Sequence, residues 1–350
     1  MKLLALCMAF LISFQPFFIH KTKVEIIAGP YVQNVSKDSI TIMWATNVNT
    51  TNNRVYWGLE KLDNITECNE NRRWHEVKIN GLKQSSKYFY MVESDGVRSK
   101  IYSFHSLPYK NESFSFIVYG DTRGVWDGWK NASKIAMAIE KEKPEIVIHV
   151  GDIVRDGANE QQWIKFFQIS TWIHNATFYP AIGNHDLPYA LFKKYFSLPG
   201  NEQWYSFDYG SIHFTILDSN SPLSISQFLW LLHDLKKEAK WKIVVFHHPL
   251  FSSIYINPLL WIWHIIFQLA NVDFIFNGHC HNYEHIKIGD INYVITGGGG
   301  ASLHPVGKSK WTVCSKSTYH YCKILASFNA LNFTSYDVNG STIEQFVIEK

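Results

Sequence analysis

Five short polar motifs, each preceded by an apolar run, are the feature of this chain that most constrains its fold. In chain order they are Gly120-Asp121, Gly151-Asp152, Gly183-Asn184-His185-Asp186, His247-His248-Pro249 and Gly278-His279-Cys280-His281. The preceding runs are rich in β-branched and aromatic residues, which predicts buried strands at residues 116–119, 146–150, 178–182, 243–246 and 274–276. Because open α/β sheets place their functional loops at the carboxyl ends of the strands, we expect the motifs to converge at one edge of a sheet.

The motifs carry carboxylate, amide and imidazole groups, which are ligands for divalent metal ions. Drawn from separate loops, such groups can hold two ions roughly 3.5–4 Å apart and activate water between them. No single motif is sufficient, because Gly-Asp after a strand is common and an isolated His-x-His is more often structural. The order and context of all five motifs therefore predict a two-metal hydrolase.

Two regions of different pattern flank a short linker at residues 108–112. Residues 24–107 show short alternating segments, with strands predicted at 39–44, 54–57, 88–93 and 100–104, which indicates a β-sandwich with Trp44 in its core. After the linker, strands alternate with helical patterns at 129–143, 160–173, 224–240 and 258–270. Such alternation is typical of a layered α/β domain.

With these motifs the chain resembles the calcineurin-like metallophosphoesterases, in the purple-acid-phosphatase-like branch that carries an N-terminal fibronectin-III-like domain. Three further stretches support the resemblance: Gly29-Pro30-Tyr31-Val32-Gln33, Trp204-Tyr205-Ser206-Phe207-Asp208-Tyr209-Gly210 and Asn282-Tyr283-Glu284. The fold it implies is an α/β, four-layer αββα sandwich over residues 112–350, preceded by an all-β fibronectin-III-like sandwich over 24–107. Segments 205–218, 292–296 and the strand starting at residue 322 would supply the second sheet.

The resemblance also implies a role for each candidate ligand. The resemblance implies six metal ligands. Asp152 would bridge the two ions, Asp121 and His281 would bind the first ion, and Asn184, His247 and His279 would bind the second. His185 would be the catalytic imidazole that protonates the leaving oxygen, and Asp186 would orient it. The ions would be a divalent or mixed-valence pair drawn from Fe, Zn, Mn or Ni.

Two arginines stand where the family pattern has metal ligands. Coloured purple acid phosphatases use Gly-Asp-x-x-Tyr, whose tyrosinate binds ferric iron, and that position is Arg155 here; the usual Asp-x-His ends in Arg123. We therefore expect no purple charge-transfer band and a first metal site that water completes. Either guanidinium can contact substrate by clamping a phosphoryl oxygen. The alternative for both is a salt bridge, which for Arg123 would be to Asp127 or Asp156.

These features predict a metal-dependent phosphoric ester hydrolase that cleaves phosphate monoesters with a metal-activated hydroxide, as acid phosphatases do. A phosphodiesterase or nucleotide-cleaving enzyme is the alternative of the same class, because two metal ions can hydrolyse either ester. A catalytically inactive surface binding protein is the alternative of another class. The presence of all six proposed ligands together with His185 favours an enzyme acting on a small phosphate ester.

Composition and targeting signals bear on partners and location. The net charge is +3 and the Lys and Arg residues are dispersed, so no nucleic-acid partner is evident. Lys2 followed by a short apolar stretch predicts a signal peptide or N-terminal anchor over residues 1–20. Eight Asn-x-Ser/Thr sequons fit a secreted or extracytoplasmic glycoprotein, and they begin at Asn34, Asn49, Asn64, Asn111, Asn131, Asn175, Asn332 and Asn339.

Two remaining features give structural expectations. Cys314 and Cys322 form the plausible disulfide among the cysteines that follow the signal segment, whereas Cys280 is expected to be structural. The helix predicted over 258–270 is apolar on almost every side but shorter than a bilayer span. It is therefore either buried or in contact with a membrane or a second subunit.

Overall fold

The structure is a computed structural model that describes residues 22–350, so the predicted signal or anchor segment at 1–20 lies outside the described residues. The N-terminal region consists of strands; residues 75–80 and 87–92 alternate buried and more exposed positions, whereas residues 39–46 are buried throughout. These strands are β1 (Ile26–Gln33), β2 (Ser39–Thr50), β3 (Asn53–Gly58), β4 (Asn64–Cys68), β5 (Arg72–Asn80), β6 (Lys87–Ser94), β7 (Val97–Arg98) and β8 (Tyr102–His105).

The rest of the chain alternates strands with helices before it ends in a run of strands. The elements are β9 (Phe114–Tyr119), α1 (Lys130–Glu142), β10 (Ile146–His149), α2 (Glu160–Ile169), β11 (Thr177–Pro180), α3 (Tyr189–Tyr195), β12 (Tyr205–Tyr209), β13 (Ile212–Ile216), α4 (Ile225–Asp234), β14 (Trp241–Val245), α5 (Trp261–Leu269), β15 (Phe274–Asn277), β16 (Tyr283–Ile288), β17 (Ile291–Thr296), β18 (Thr312–Lys316), β19 (His320–Ala326), β20 (Ala330–Asp337) and β21 (Thr342–Glu349). Short 3-10 turns occupy Gly124–Asp127, Thr171–His174, Asn184–Asp186 and Pro258–Leu260.

Two mixed sheets form the centre of the C-terminal domain. The first runs β21-β20-β19-β9-β10-β11 and continues into β1-β2-β5, whereas the second runs β12-β13-β14-β15-β17-β16-β18. The sheets pack face to face through aromatic side chains: the rings of Phe116 and Phe214 lie 5.3 Å apart and those of Tyr179 and Phe207 lie 3.6 Å apart. With helices on the outer faces, this is the predicted four-layer αββα sandwich, and the fold-class prediction is confirmed.

The motif-bearing strands divide between the two sheets. β9, β10 and β11 are parallel neighbours in the first sheet, and β14 and β15 are parallel neighbours in the second. The prediction of a single sheet edge was therefore wrong. Because the sheets stack, their carboxyl ends lie side by side, and the five loops still converge.

The strand that begins near residue 322 was assigned to the wrong sheet. β19 pairs antiparallel with β9, with Cys322 opposite Val118, so it extends the first sheet. The expected Cys314–Cys322 disulfide is also wrong, because Cys314 lies on β18 in the second sheet and all cysteines of the described residues are free. Cys322 instead lies 3.5 Å from the Thr296 hydroxyl.

The N-terminal strands form the predicted two-sheet sandwich. One layer contains β1, β2 and β5, and the other contains β4, β3, β6, β7 and β8. Trp44 is fully buried between them and donates its indole N–H to Ser94 Oγ at 2.9 Å, so its predicted core position is confirmed. β1 also pairs in parallel with β11, with Val32 opposite Thr177, so one sheet crosses the predicted domain boundary.

Helix α5 is neither fully buried nor long enough to span a bilayer. Trp263 and Phe267 pack into the core of the second sheet, whereas Trp261 is 49% exposed and Leu269 is 81% exposed. Across residues 22–350, no helix has the length and apolar character that a membrane crossing requires.

Candidate metal centre

The loops after the motif strands hold their polar side chains in unusual backbone conformations. Asp121, Asp152 and His279 all have left-handed backbones, with φ of 56°, 57° and 66°. Such values are uncommon for residues other than glycine and are concentrated at functional sites, where surrounding contacts enforce them. Here the Asp121 carboxylate accepts the backbone N–H of His279 at 3.0 Å, which ties a loop of the first sheet to a loop of the second.

Glycines allow these loops to approach one another closely. A Cβ on Gly183 would lie 2.2 Å from the backbone nitrogen of Asp152, and a Cβ on Gly299 would lie 2.3 Å from the carbonyl oxygen of Gly120. The four-glycine run at 297–300 therefore packs against the Asp121 loop as a tight structural segment. These contacts make the run part of the wall beside Asp121.

Asp152, Asn184, His247 and His279 form what we call the second subsite. His247 Nδ1 lies 3.0 Å from the Val150 carbonyl oxygen and donates to it, so the lone pair of Nε2 points into the site. That atom lies 3.2 Å from Asn184 Oδ1 and 3.4 Å from Asp152 Oδ1. His279 completes the group, with its ring 5.2 Å from the His247 ring.

Asp121, Asp152 and His281 form the first subsite, on the other side of Asp152. His281 Nδ1 donates to the Ser302 carbonyl oxygen at 2.6 Å, so its Nε2 lone pair faces inward, 3.4 Å from Asp121 Oδ1. Asp121 and Asp152 are both completely buried, and one carboxylate oxygen of each lies within 4.8 Å of the other and of a His247 ring nitrogen. Asp152 therefore adjoins ligands of both subsites, as a bridging carboxylate needs.

The electrostatics of this cluster favour a bound cation. Although burial lowers the pKa of His247, the adjacent Asp152 and Asp121 carboxylates raise it to about 9. Burial also raises the pKa of Asp152, yet His247 and Arg123 bring it below its usual range. Since buried carboxylates and an imidazole lone pair converge there, the cluster holds either a proton or a metal ion.

The donor set fits a metal ion at the second subsite. Asn184 Oδ1 and Asp152 Oδ1 both lie beside His247 Nε2, at 3.2 and 3.4 Å. In the neutral ring three lone pairs meet there, which is unfavourable unless a proton or a metal ion lies between them. Imidazole, amide and carboxylate groups suit Zn, Fe, Mn or Ni.

His185 lies at the edge of the centre, but Asp186 does not orient it. His185 Nδ1 lies 2.7 Å from the Arg155 carbonyl oxygen and donates to it. The buried Asp186 carboxylate accepts the backbone N–H groups of Asp152, Ile153, Val154 and Gly183 at 2.8–3.1 Å. The predicted orienting role of Asp186 is corrected accordingly: Asp186 fixes the backbone of the Asp152 loop, and the Arg155 carbonyl positions His185.

The two arginines have different surroundings. The Arg123 side chain lies within the first subsite, with Nε 3.4 Å from Asp152 Oδ2, and forms no salt bridge to Asp127 or Asp156. The exposed Arg155 guanidinium lies 3.9 Å from the ring centre of Trp126. Arg155 adjoins the centre through its carbonyl oxygen, which accepts from His185, whereas the Arg123 side chain lies among the candidate ligands.

Three residues near the centre were not assigned to it from the sequence. One ring nitrogen of His248 lies within 4.8 Å of a ring nitrogen of His247 and of His279, and the Tyr255 ring packs edge-on against His279 at 4.8 Å. His304 stacks on His281 with ring centres 3.9 Å apart. The adjacent histidines of the fourth motif were the available signal for His248, whereas Tyr255 and His304 lie in loops without a motif.

Two family descriptions match this chain. Residues 114–283 match the family described as Calcineurin-like phosphoesterase, and residues 30–106 match the one described as Purple acid Phosphatase, N-terminal domain. The first match contains the metal centre up to the last ligand, His281. The second covers most of the N-terminal sandwich.

Individual relatives are distant but extend over much of the chain. Phosphoenolpyruvate phosphatase of Allium cepa is 24% identical over 79% of this chain and 65% of its own length. Fe(3+)-Zn(2+) purple acid phosphatase 12 of Arabidopsis thaliana is 26% identical over 64% of this chain and 55% of its own length. This chain thus spans between about half and two thirds of these curated relatives.

A solved structure gives the same result for the fold. Purple acid phosphatase PPD1 from yellow lupin seeds (Lupinus luteus) aligns with a TM-score of 0.80 and 20% identity, covering 91% of this chain and 74% of the lupin chain. The alignment includes both domains, so their arrangement is also shared.

Proposed function

Because the chain combines a calcineurin-like phosphoesterase domain with a purple acid phosphatase N-terminal domain, we propose that it is a metal-dependent hydrolase of phosphate monoesters. The observation that carries the proposal is the convergence of five loops from two sheets on Asp152. Buried carboxylates and inward-facing imidazoles surround that residue. The named activity of the relatives, phosphatase, supports the same reaction class.

Six side chains would hold two ions, and they are Asp121, Asp152, Asn184, His247, His279 and His281. A bound ion pair supplies Lewis acidity and lowers the pKa of coordinated water toward neutrality. The chain holds Asp121 and Asp152 away from bulk water, and the Val150 and Ser302 carbonyls fix the tautomers of His247 and His281. Such hydrogen bonds to ligating histidines orient the rings and increase their basicity.

His185 would protonate the departing oxygen. Its Nδ1 proton is engaged by the Arg155 carbonyl, so Nε2 is the atom available for proton transfer. The residue is half-buried and its backbone N–H donates to Asp152 Oδ1 at 2.9 Å, which places the ring beside the centre. A general acid positioned in this way can protonate the leaving oxygen as the ester bond breaks.

Arg123 and Arg155 would contact phosphoryl oxygens of the substrate. The Arg155 guanidinium is held over the Trp126 ring, and the Arg123 guanidinium lies beside Asp152. Planar guanidinium groups match phosphate oxygens in a bidentate geometry. With Arg155 in the tyrosinate position, we propose a centre without a purple charge-transfer band, whichever of Fe, Zn, Mn or Ni is bound.

A comparison of two substrates tests the reaction class. The metal-loaded chain is assayed with p-nitrophenyl phosphate and with bis(p-nitrophenyl) phosphate across pH. Faster turnover of the monoester is expected, and faster turnover of the diester would instead indicate a phosphodiesterase. No turnover of either ester by a folded, metal-loaded chain would favour the inactive surface binding protein.

We propose that the chain is exported as a glycoprotein and reaches a secreted or extracytoplasmic surface location. The support comes from the sequence of residues 1–20 and from the sequons. None of the eight sequon asparagines is buried, and Asn49, Asn64, Asn111, Asn175 and Asn339 are exposed. Enzymatic deglycosylation of the chain from a eukaryotic secretory host should lower its mass, and an unchanged mass would contradict the proposal.

Residues 258–270 are proposed as a contact surface for a membrane or a second subunit. Leu259, Trp261, Ile265 and Leu269 are each at least 49% exposed, which leaves an apolar stripe on the outer layer. Such stripes mark interaction sites more often than ordinary surface. Two sedimentation experiments distinguish the alternatives. Membrane contact predicts that the chain co-sediments with lipid vesicles. Contact with a second subunit predicts a larger sedimentation coefficient in the absence of lipid.

A further inference from the structure

The Arg123 guanidinium occupies the space in which the first subsite would hold its ion. Nη2 lies 2.7 Å from His281 Nε2, and Nε lies 3.4 Å from Asp152 Oδ2. The side chain is only 14% exposed. A buried cation therefore already lies between two of the three ligands proposed for the first ion.

The contact with His281 uses the lone pair that a metal ion would need. His281 Nδ1 donates to the Ser302 carbonyl, so Nε2 is unprotonated in the neutral ring and acts as the acceptor for Arg123. A guanidinium has donors only, and it cannot share this lone pair with an ion. Binding of an ion at His281 Nε2 therefore requires the Arg123 side chain to leave.

The second subsite has no such competitor. In the described part of the chain, neither a lysine nor an arginine hydrogen-bonds or ion-pairs with Asn184, His247 or His279. No lysine or arginine side chain lies between Asn184 Oδ1 and His247 Nε2 in the second subsite, whereas His281 Nε2 in the first subsite contacts Arg123. The two subsites thus differ in what an arriving ion must displace.

The first subsite also has fewer protein ligands than the second. The positions that carry tyrosine and histidine ligands in the family pattern are Arg155 and Arg123, so the first subsite retains only Asp121, Asp152 and His281. The second subsite retains Asn184, His247 and His279 together with the shared Asp152. A dication placed beside Arg123 would also meet like-charge repulsion that two carboxylates only partly offset.

We propose that the Arg123 guanidinium is a built-in cation of the first subsite that competes with the metal ion there. The chain then holds one ion tightly in the second subsite and binds another in the first subsite only weakly. This inference rests on the proposed metal-dependent function, because it concerns the same ligands. It makes Arg123 a determinant of metal stoichiometry in addition to a substrate contact.

Calorimetric titration of the metal-free chain with Zn²⁺ tests the proposal. The wild-type chain should bind one ion tightly and a second at least about tenfold more weakly. Arg123→His removes the cation and restores an imidazole ligand, so both ions should bind tightly. Arg123→Met removes the cation without adding a ligand, so it should increase the affinity for the second ion less than Arg123→His does.

The matched control is Arg155→Ala, which removes the neighbouring guanidinium that lies outside the subsite over Trp126. Arg155→Ala should keep the wild-type difference in affinity between the first and the second Zn²⁺ ion. Circular dichroism checks that each variant is folded. Two ions of equal affinity in the wild type, or an unchanged second step in both Arg123 variants, would overturn the proposal.

A measurement on the unaltered chain keeps the test independent of variant folding. Co²⁺ is added stepwise and its binding is monitored through the visible d–d absorption. At low protein concentration this absorption should saturate near one equivalent of Co²⁺. Saturation near two equivalents without a break would overturn the competition by Arg123 while leaving the metal centre intact. Absence of tight binding in both the wild type and Arg123→His would instead contradict the proposed metal-dependent function.

Discussion

At the scale of single residues, the centre depends on Asp152. One carboxylate oxygen accepts the backbone N–H of His185, and the other is buried without a hydrogen bond and has the Arg123 Nε atom at 3.4 Å. A buried carboxylate is unfavourable unless a cation lies beside it. We therefore expect Asp152 to act both as a structural acceptor and as a metal ligand.

We predict that Asp152→Ala abolishes phosphatase activity together with metal binding. The substitution removes the ligand shared by both subsites, so neither ion keeps its full set of donors. Metal content per chain, measured by mass spectrometry after dialysis, should fall in parallel with turnover. Full metal content in an inactive variant would argue against the bridging position.

The opposite pattern is predicted for His185→Ala. Because His185 contacts the Arg155 carbonyl and is not among the proposed ligands, metal content should stay at the wild-type value. The loss of a general acid should lower kcat by about 10²–10⁴-fold. Near-normal turnover of p-nitrophenyl phosphate would remove His185 from the proton-transfer step.

At the scale of structural elements, the loops matter because they bring ligands of both sheets together. Gly183 belongs to the loop after β11 and lies against the backbone of Asp152. Its lack of a side chain permits the approach that aligns Asn184 with His247. Loop packing, in addition to ligand identity, therefore determines the metal centre.

Gly183→Ala should weaken metal binding, because a methyl group 2.2 Å from the Asp152 nitrogen forces the two loops apart. The matched control is Gly307→Ala, whose Cβ would make ordinary contacts with Ser253 at 3.4 Å. Zn²⁺ affinity of the two variants is compared by calorimetry. Equal affinities would show that the close approach does not position the ligands.

The carboxyl group of Glu145, next to the start of β10, should make stability depend on pH. Burial raises its pKa to about 7, above the ordinary value near 4.5 of the unfolded chain. Between these pH values the folded chain binds more protons than the unfolded chain, so stability decreases as pH rises from about 4.5 to 7. Glu145→Gln should reduce this decrease by about 1–2 kcal/mol, as measured by urea unfolding, since the partly exposed group is also screened by solvent.

Helix α5 offers a comparison of two tryptophans with different surroundings. Trp263 is fully buried, so Trp263→Ala should cost about 3–5 kcal/mol of folding stability. Trp261 is half exposed, and Trp261→Ser should change stability much less while weakening any contact made by residues 258–270. A large thermal destabilisation by Trp261→Ser would mean that the outer face is structural.

At the scale of the whole molecule, the two domains share a sheet and a hydrophobic core. β1 pairs with β11, and Tyr31 both stacks on Phe167 and donates its hydroxyl proton to the Tyr195 carbonyl oxygen at 2.5 Å. We therefore expect the two domains to unfold cooperatively in one transition. Circular dichroism and tryptophan fluorescence should report the same midpoint. Two separate transitions would show that the shared sheet does not couple them.

Much of this architecture could be predicted from local sequence, and the remainder depends on distant pairing. The apolar runs before Asp121, Asp152 and His247 indicated buried strands, and the ligand types indicated the chemistry. The position of β19 beside β9 could not be predicted, because it joins residues about two hundred apart through backbone hydrogen bonds that any alternating strand can form. The Arg123 contact with His281 depends equally on how two distant loops meet.

Metal removal and restoration tests the central claim most directly. The chain is stripped with a chelator, Fe, Zn, Mn and Ni are restored singly, and hydrolysis of p-nitrophenyl phosphate is followed with each ion. Our account predicts that turnover disappears on stripping and returns with at least one ion. Undiminished turnover without metal, or no turnover with any ion although the chain is folded and metal is bound, would contradict it.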